Sequence, residues 1–151
     1  MKKIALFWGF LLMSLVLGSC GDKEEGPAST LTIRSITPTA GSVVSRTTVI
    51  NAHLNYAVAD RDTSTEGAYL VDMLISYEKK GVAPEFFLKT RRVLQYHKDI
   101  ATLTYALAES WDRAEPDHHF TRPFTCYFRL ASLKNGIAYP VAETEKIVFA
   151  E

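Results

Sequence analysis

The stretch Thr48–Val58, "TVINAHLNYAV", decides the fold class. Ile50, Ala52, Leu54, Tyr56 and Val58 fall on one side of a two-residue period, and Asn51, His53 and Asn55 on the other. Successive side chains of an extended chain point to opposite faces, so this run predicts a strand with one face in a core and the other in water. A helix would scatter the same five apolar residues around its circumference. The polar loop "ADRDTSTEG" (59–67) closes the strand.

The same period recurs outward in both directions. "LTIRSIT" (31–37) sets Leu31 and Ile33 on one face. Pro38 and Gly41 in "ITPTAGSVV" mark a place where an edge strand kinks and resumes, because proline has no N–H for a ladder. "AYLVDMLISYE" (68–78) alternates Tyr69, Val71, Met73, Ile75 and Tyr77 against Leu70, Asp72, Leu74 and Ser76. "KKGVAP" turns, and "EFFLKTRRVL" (85–94) follows as a strand with basic outward positions. Its Lys89–Arg92 run, set between Phe87 and Val93, reads as cover for a sheet edge rather than an anion-binding patch.

"IATLTYALAESW" (100–111) turns Ala101, Leu103, Tyr105 and Leu107 inward, although its Ala and Leu content leaves a helix over Thr102–Trp111 as an alternative. "DRAEPDHHFTRP" (112–123) is a long loop. "FTCYFRLASL" (124–133) places Phe124, Cys126, Phe128 and Leu130 on one face, "KNG" turns, and "EKIVFAE" completes the sequence.

Seven short alternating strands separated by turn signals predict an all-β sandwich, one domain over residues 30–151. Their order resembles immunoglobulin-like and fibronectin type III-like modules of bacterial surface proteins. The Cys…Trp…Cys pattern of true immunoglobulin domains is missing. The resemblance implies a module that binds partners, spaces other domains or serves as a subunit, and not a catalyst.

Ahead of this domain stands a leader. Met1-Lys2-Lys3 is a positive head, and Ile4–Leu17 is apolar apart from Gly9 and Ser14. Such a run spans about 21 Å at roughly 1.5 Å per helical residue, short of the roughly 20 residues a membrane-spanning helix needs. That is signal-peptide length. The tetrapeptide "LGSC", Leu17 to Cys20, resembles a bacterial lipobox. The resemblance implies a signal peptide over 1–19, diacylglycerol on the Cys20 thiol, cleavage before it, and a lipidated tether over 20–29. "DKEE" (Asp22–Glu25) resembles the acidic export signal behind the lipid cysteine of Bacteroidota-type surface lipoproteins, although charges of this kind also serve a plain solvated tether. The expected address is the outer membrane, lipid-anchored, at the cell surface, with a periplasm-facing placement as the alternative. Two or more acyl chains hold a protein stably where one does not.

Charge excludes one class of partner. The chain carries 17 Lys and Arg against 17 Asp and Glu, and two of the lysines lie in the leader. No basic footprint for nucleic acid is present. Of two cysteines, lipid consumes Cys20, so Cys126 has no intrachain disulfide partner. Cys126 sits among aromatics on a strand pattern and reads as buried and inert.

Three constellations offer chemistry. Asp60, Asp62 and Glu66 alternate along "DRDTSTEG" and form a weak calcium candidate; Ca²⁺ takes six to eight oxygens, and Thr65 stands where a calcium loop has its turn glycine. Asp112, Glu115, Asp117, His118 and His119 supply ligand types to the 112–119 loop, but without the spacing of catalytic zinc. Tyr96, Trp111 and Tyr139 fall at strand ends or in loops, where rings can stack on a sugar or anchor a protein partner, as aromatics do at interfaces. The expectation is a non-enzymatic lipoprotein that binds a protein or glycan. The alternatives are a structural spacer or accessory subunit of an envelope complex and, further off, a metal-assisted hydrolase using the 112–119 loop.

Overall fold

The computed structural model describes residues 27–64, 66–79, 85–111, 118–120 and 124–150. Its strands are β1 (Thr30–Thr37), β2 (Val49–Ala57), β3 (Tyr69–Lys79), β4 (Glu85–Leu94), β5 (Lys98–Ala106), β6 (His118–Phe120), β7 (Thr125–Lys134), β8 (Ile137–Glu143) and β9 (Ile147–Val148). One helical turn, α1 (Ala108–Trp111), follows β5, and Asp60–Asp62 form a 3-10 turn. Among the described residues no helix is long and apolar enough to cross a membrane.

The strands form two antiparallel sheets, an all-β sandwich. One has the order β1-β2-β5. The other runs β4-β3-β7-β8, with β6 also on β3 and β9 also on β7. Tyr77 of β3 pairs with both Glu85 and Phe120, so β6 lies on the β7 side of β3; Cys126 pairs with both Ile75 and Ile147, so β9 continues the β8 edge. Among the described residues nine segments therefore occupy seven strand positions: β6 and β7 share one inside the larger sheet, and β8 and β9 share one of its edges. Region 102–106 is strand, and the helical alternative survives only as the single turn α1.

The alternation of β2 is realised as read. Ile50, Ala52, Leu54, Tyr56 and Val58 are buried, whereas His53 and Asn55 are exposed. Across the sandwich they join Tyr69, Val71, Met73, Ile75, Phe124, Cys126, Phe128 and Leu130 in one core with Leu103, Tyr105 and Leu107. After Thr37 the chain passes a cis peptide to Pro38 and turns at Gly41, whose φ of 78° suits glycine. It then meets the other sheet through a parallel bridge from Val43 to Ala150. The predicted kink thus transfers the chain from one sheet to the other.

β3 departs from the expected pattern. Leu70, Asp72, Leu74 and Ser76, on the face opposite Tyr69, Val71, Met73 and Ile75, are buried as well. The strand lies in the middle of its sheet, and side chains from β4 and β7 close over that outer face. Phe86 and Tyr127 meet edge to face at 5.0 Å between centroids, and Lys146 Nζ stands 4.8 Å from the Phe86 ring.

Candidate functional site

The calcium candidates do not converge. Asp62 Oδ2 accepts from Ser29 Oγ at 2.5 Å, which fastens the start of the domain to the turn after β2. Ser29 Oγ in turn accepts from the Ala59 amide at 2.9 Å. Glu66 reaches the other way, its Oε1 accepting from the Gly136 amide in the β7–β8 turn at 3.0 Å. Asp60 serves through its backbone carbonyl, which accepts from Thr63. The carboxylates brace three parts of one end of the sandwich, and among the described residues no group of three His, Cys, Asp or Glu could hold a metal ion. The 112–117 part of the proposed hydrolase loop lies outside the described residues, as do Cys20 and the leader.

The three aromatics fall apart as well. Trp111 is not an exposed ring: its amide donates to the Leu107 carbonyl at 2.8 Å, and this turn lays the half-buried indole against the core. Tyr96 is exposed in the β4–β5 turn and Tyr139 on the β8 edge. The row Leu94–Tyr69–Ser132–Tyr139 crosses four strands. Tyr139 therefore lies three strand spacings from Leu94, about 14 Å at roughly 4.8 Å each. The two tyrosines share an end of the molecule but not a patch.

Cys126 is placed for packing. It is fully buried, and desolvation pushes its thiol up to about 12. A thiolate is the reactive form, so burial makes this cysteine a packing residue.

What remains are the outer faces of the two sheets, and they differ in chemistry. On the four-position sheet one row reads Arg91–Asp72–Arg129–Glu143, alternating in charge across the strands. Arg91 Nε and Nη2 donate to Asp72 Oδ1 and Oδ2 at 2.6 and 3.0 Å, and Arg129 Nη2 donates to Oδ2 at 3.1 Å. The hydrogen bond to Asp72 holds the Arg91 guanidinium above its ordinary value. Arg92, its neighbour on the β4 edge, reaches across to the Thr102 carbonyl at 3.1 Å. The basic run is therefore committed to internal bonds at two of its positions.

The outer face of β1-β2-β5 carries no carboxylate, ammonium or guanidinium along its central rows. They read Thr37–Asn51–Thr104, Ser35–His53–Thr102 and Thr32–Asn55–Ile100. Thr104 Oγ1 donates to Asn51 Oδ1 at 2.8 Å, and Thr102 Oγ1 shares a hydrogen bond with His53 Nδ1 at 3.1 Å. Arg34 is the exposed bulge residue on the β1 side and Lys98 stands at the end of the face. Short hydroxyl and amide groups on flat backbone keep donors and acceptors in register at little side-chain entropy cost. The period of β2 announced Asn51, His53 and Asn55, but only the pairing with β1 and β5 sets them among hydroxyls. No protein-family model and no curated protein matches the chain.

Proposed function

We propose that the chain is a lipoprotein, anchored through acylated Cys20 to the outer membrane at the cell surface, whose sandwich is a non-enzymatic binding module. The observation that carries the binding role is the face of β1-β2-β5, whose central rows are hydroxyls and amides around His53 with no carboxylate, ammonium or guanidinium. An ordinary solvated sheet face is dressed with Lys and Glu, which resist association; this one offers aligned neutral donors and acceptors to a glycan or to a polar protein surface. The lipobox and the acidic "DKEE" support the address, and the inert burial of Cys126 fits a module without covalent chemistry.

The test is a glycan array together with a quantitative pull-down from detergent-solubilised envelopes, using the full acylated chain and the variant Asn55→Lys with Thr104→Lys. Both positions are exposed, so the variant charges the face without touching the core. A ligand lost by the variant supports the reading. A partner retained equally by both points to the spacer or accessory-subunit role instead.

A further inference from the structure

The end of the sandwich at which β1 begins also carries the turn after β2, the β4–β5 turn and the β7–β8 turn. The chain enters there at a fixed point, because Ser29 is buried and held by Asp62 and Ala59. The steps from Cys20 to Ser29 reach at most roughly 32 Å at up to about 3.6 Å per residue. β3 has 11 residues, whose ten steps span about 33 Å at roughly 3.3 Å each, and the domain extends beyond its first residue through the β4–β5 and β7–β8 turns. A tether shorter than the domain is long keeps the entry end toward whatever holds Cys20.

That end exposes apolar side chains on rigid supports. Tyr96 is 67% exposed, Ile137 56% and Tyr139 47%. The Asn135-Gly136 turn has φ of 53° and 72°, the form that Asn-Gly supplies to a two-residue hairpin. Glu66 braces it through the Gly136 amide, and Ser64 Oγ donates to the Leu133 carbonyl just before it. The Tyr96 turn is tied to β2 through the Val58 amide, which donates to the His97 carbonyl at 2.7 Å. β1 packs beside β8, and both strands begin at this end. Tyrosine suits the boundary between lipid and water, with its ring among acyl chains and its hydroxyl among headgroups.

We propose that the sandwich rests on the lipid surface through this end, with Tyr96, Ile137 and Tyr139 in the headgroup region. The inference rests on the acylation of Cys20.

Burial of Cys126 and acylation of Cys20 leave an introduced cysteine as the one reactive thiol. Lys134→Cys at the entry end and Ala40→Cys at the far end are each labelled with a fluorophore in the full acylated protein. The protein is reconstituted in phosphatidylcholine vesicles, because Asp22, Glu24 and Glu25 would push the tether from an anionic surface. A nitroxide carried on the lipid should quench the Lys134→Cys label several-fold more than the Ala40→Cys label. Adding Tyr96→Ser, Ile137→Ser and Tyr139→Ser should remove that difference. Equal, weak quenching of both labels in a chain that incorporates palmitate overturns the proposal and leaves the anchor standing. Shielding of the Lys134→Cys label from iodide without quenching by lipid places a second copy there and also overturns it. A chain that takes up no palmitate and stays out of the vesicles overturns proposal and anchor together.

Discussion

Asp72 is fully buried, yet Arg91 grips it at two points, with Nε 2.6 Å from Oδ1 and Nη2 3.0 Å from Oδ2. Arg129 adds a third hydrogen bond from the opposite strand. A carboxylate taken out of water costs several kcal/mol, and geometry of this kind is what offsets it. Sequence separation hides the arrangement: Asp72 precedes Arg91 by 19 residues and Arg129 by 57.

Asp72→Asn should therefore lower stability by about 1–3 kcal/mol, since it weakens three charge-assisted hydrogen bonds while the two guanidinium groups stay partly open to water. Glu143→Gln, at the exposed end of the same row, should stay within about 0.5 kcal/mol. Urea denaturation of both variants decides the matter. Equal midpoints would show that the charge of Asp72 holds nothing in place.

Leu54 and Asn55 are neighbours in sequence on opposite faces of β2. Leu54→Ala should cost about 2–5 kcal/mol through the cavity it opens. Asn55→Ala should cost less than about 0.5 kcal/mol. Similar shifts in melting temperature would contradict the register of β2.

Cys126 should resist alkylation at pH 8 in the folded protein and react at once in denaturant. Its thiol is pushed from 9.0 to about 12 by burial, so the folded protein keeps a proton that the unfolded chain surrenders. Stability on this account is intact below about pH 9 and declines as the pH rises toward 12. A melting temperature flat from pH 9 to 11 would speak against it.

Calcium at a few millimolar should leave the melting temperature unchanged, because Asp62 and Glu66 point to Ser29 and Gly136 rather than to a common centre. A rise that disappears in Asp60→Asn with Asp62→Asn would show that the loop rearranges to collect an ion.

Cys20→Ser should abolish palmitate labelling and leave the protein unprocessed or free of the membrane. Continued labelling would remove the lipobox reading and every inference built on the tether.

The strands that carry one apolar face were legible, because a period of two is a property of each segment alone. β2 shows it from end to end, β5 from Ala101 onward and β7 as far as Leu130. β3 was legible as a strand, but its second buried face depends on neighbours far along the chain. Leu70 and Leu74 on that second face were the available hint, since a strand apolar on both faces belongs in mid-sheet. The sharing of an inner position by β6 and β7, and of an edge position by β8 and β9, follows from pairing partners, which no local pattern announces. The same holds for the site. Asn51, His53 and Asn55 could be read as outward, but the hydroxyls beside them arrive from β1 and β5 through register. Trp111 misled because a tryptophan before a polar loop looks exposed until the turn at Leu107 folds it back.

The fixed entry at Ser29 and the lengthwise pairing of β1 with β2 together set how the molecule answers to force. A pull on the leading end runs along β1, parallel to the strand and across its hydrogen bonds to β2. Such a load shears the ladder, so its rows resist together instead of opening one after another. Beyond Pro38 the same chain is stitched to the second sheet at Val43 and Ala150, which shares the tension between the sheets. A domain built this way can be tugged by its leading end under flow without unravelling from its first strand.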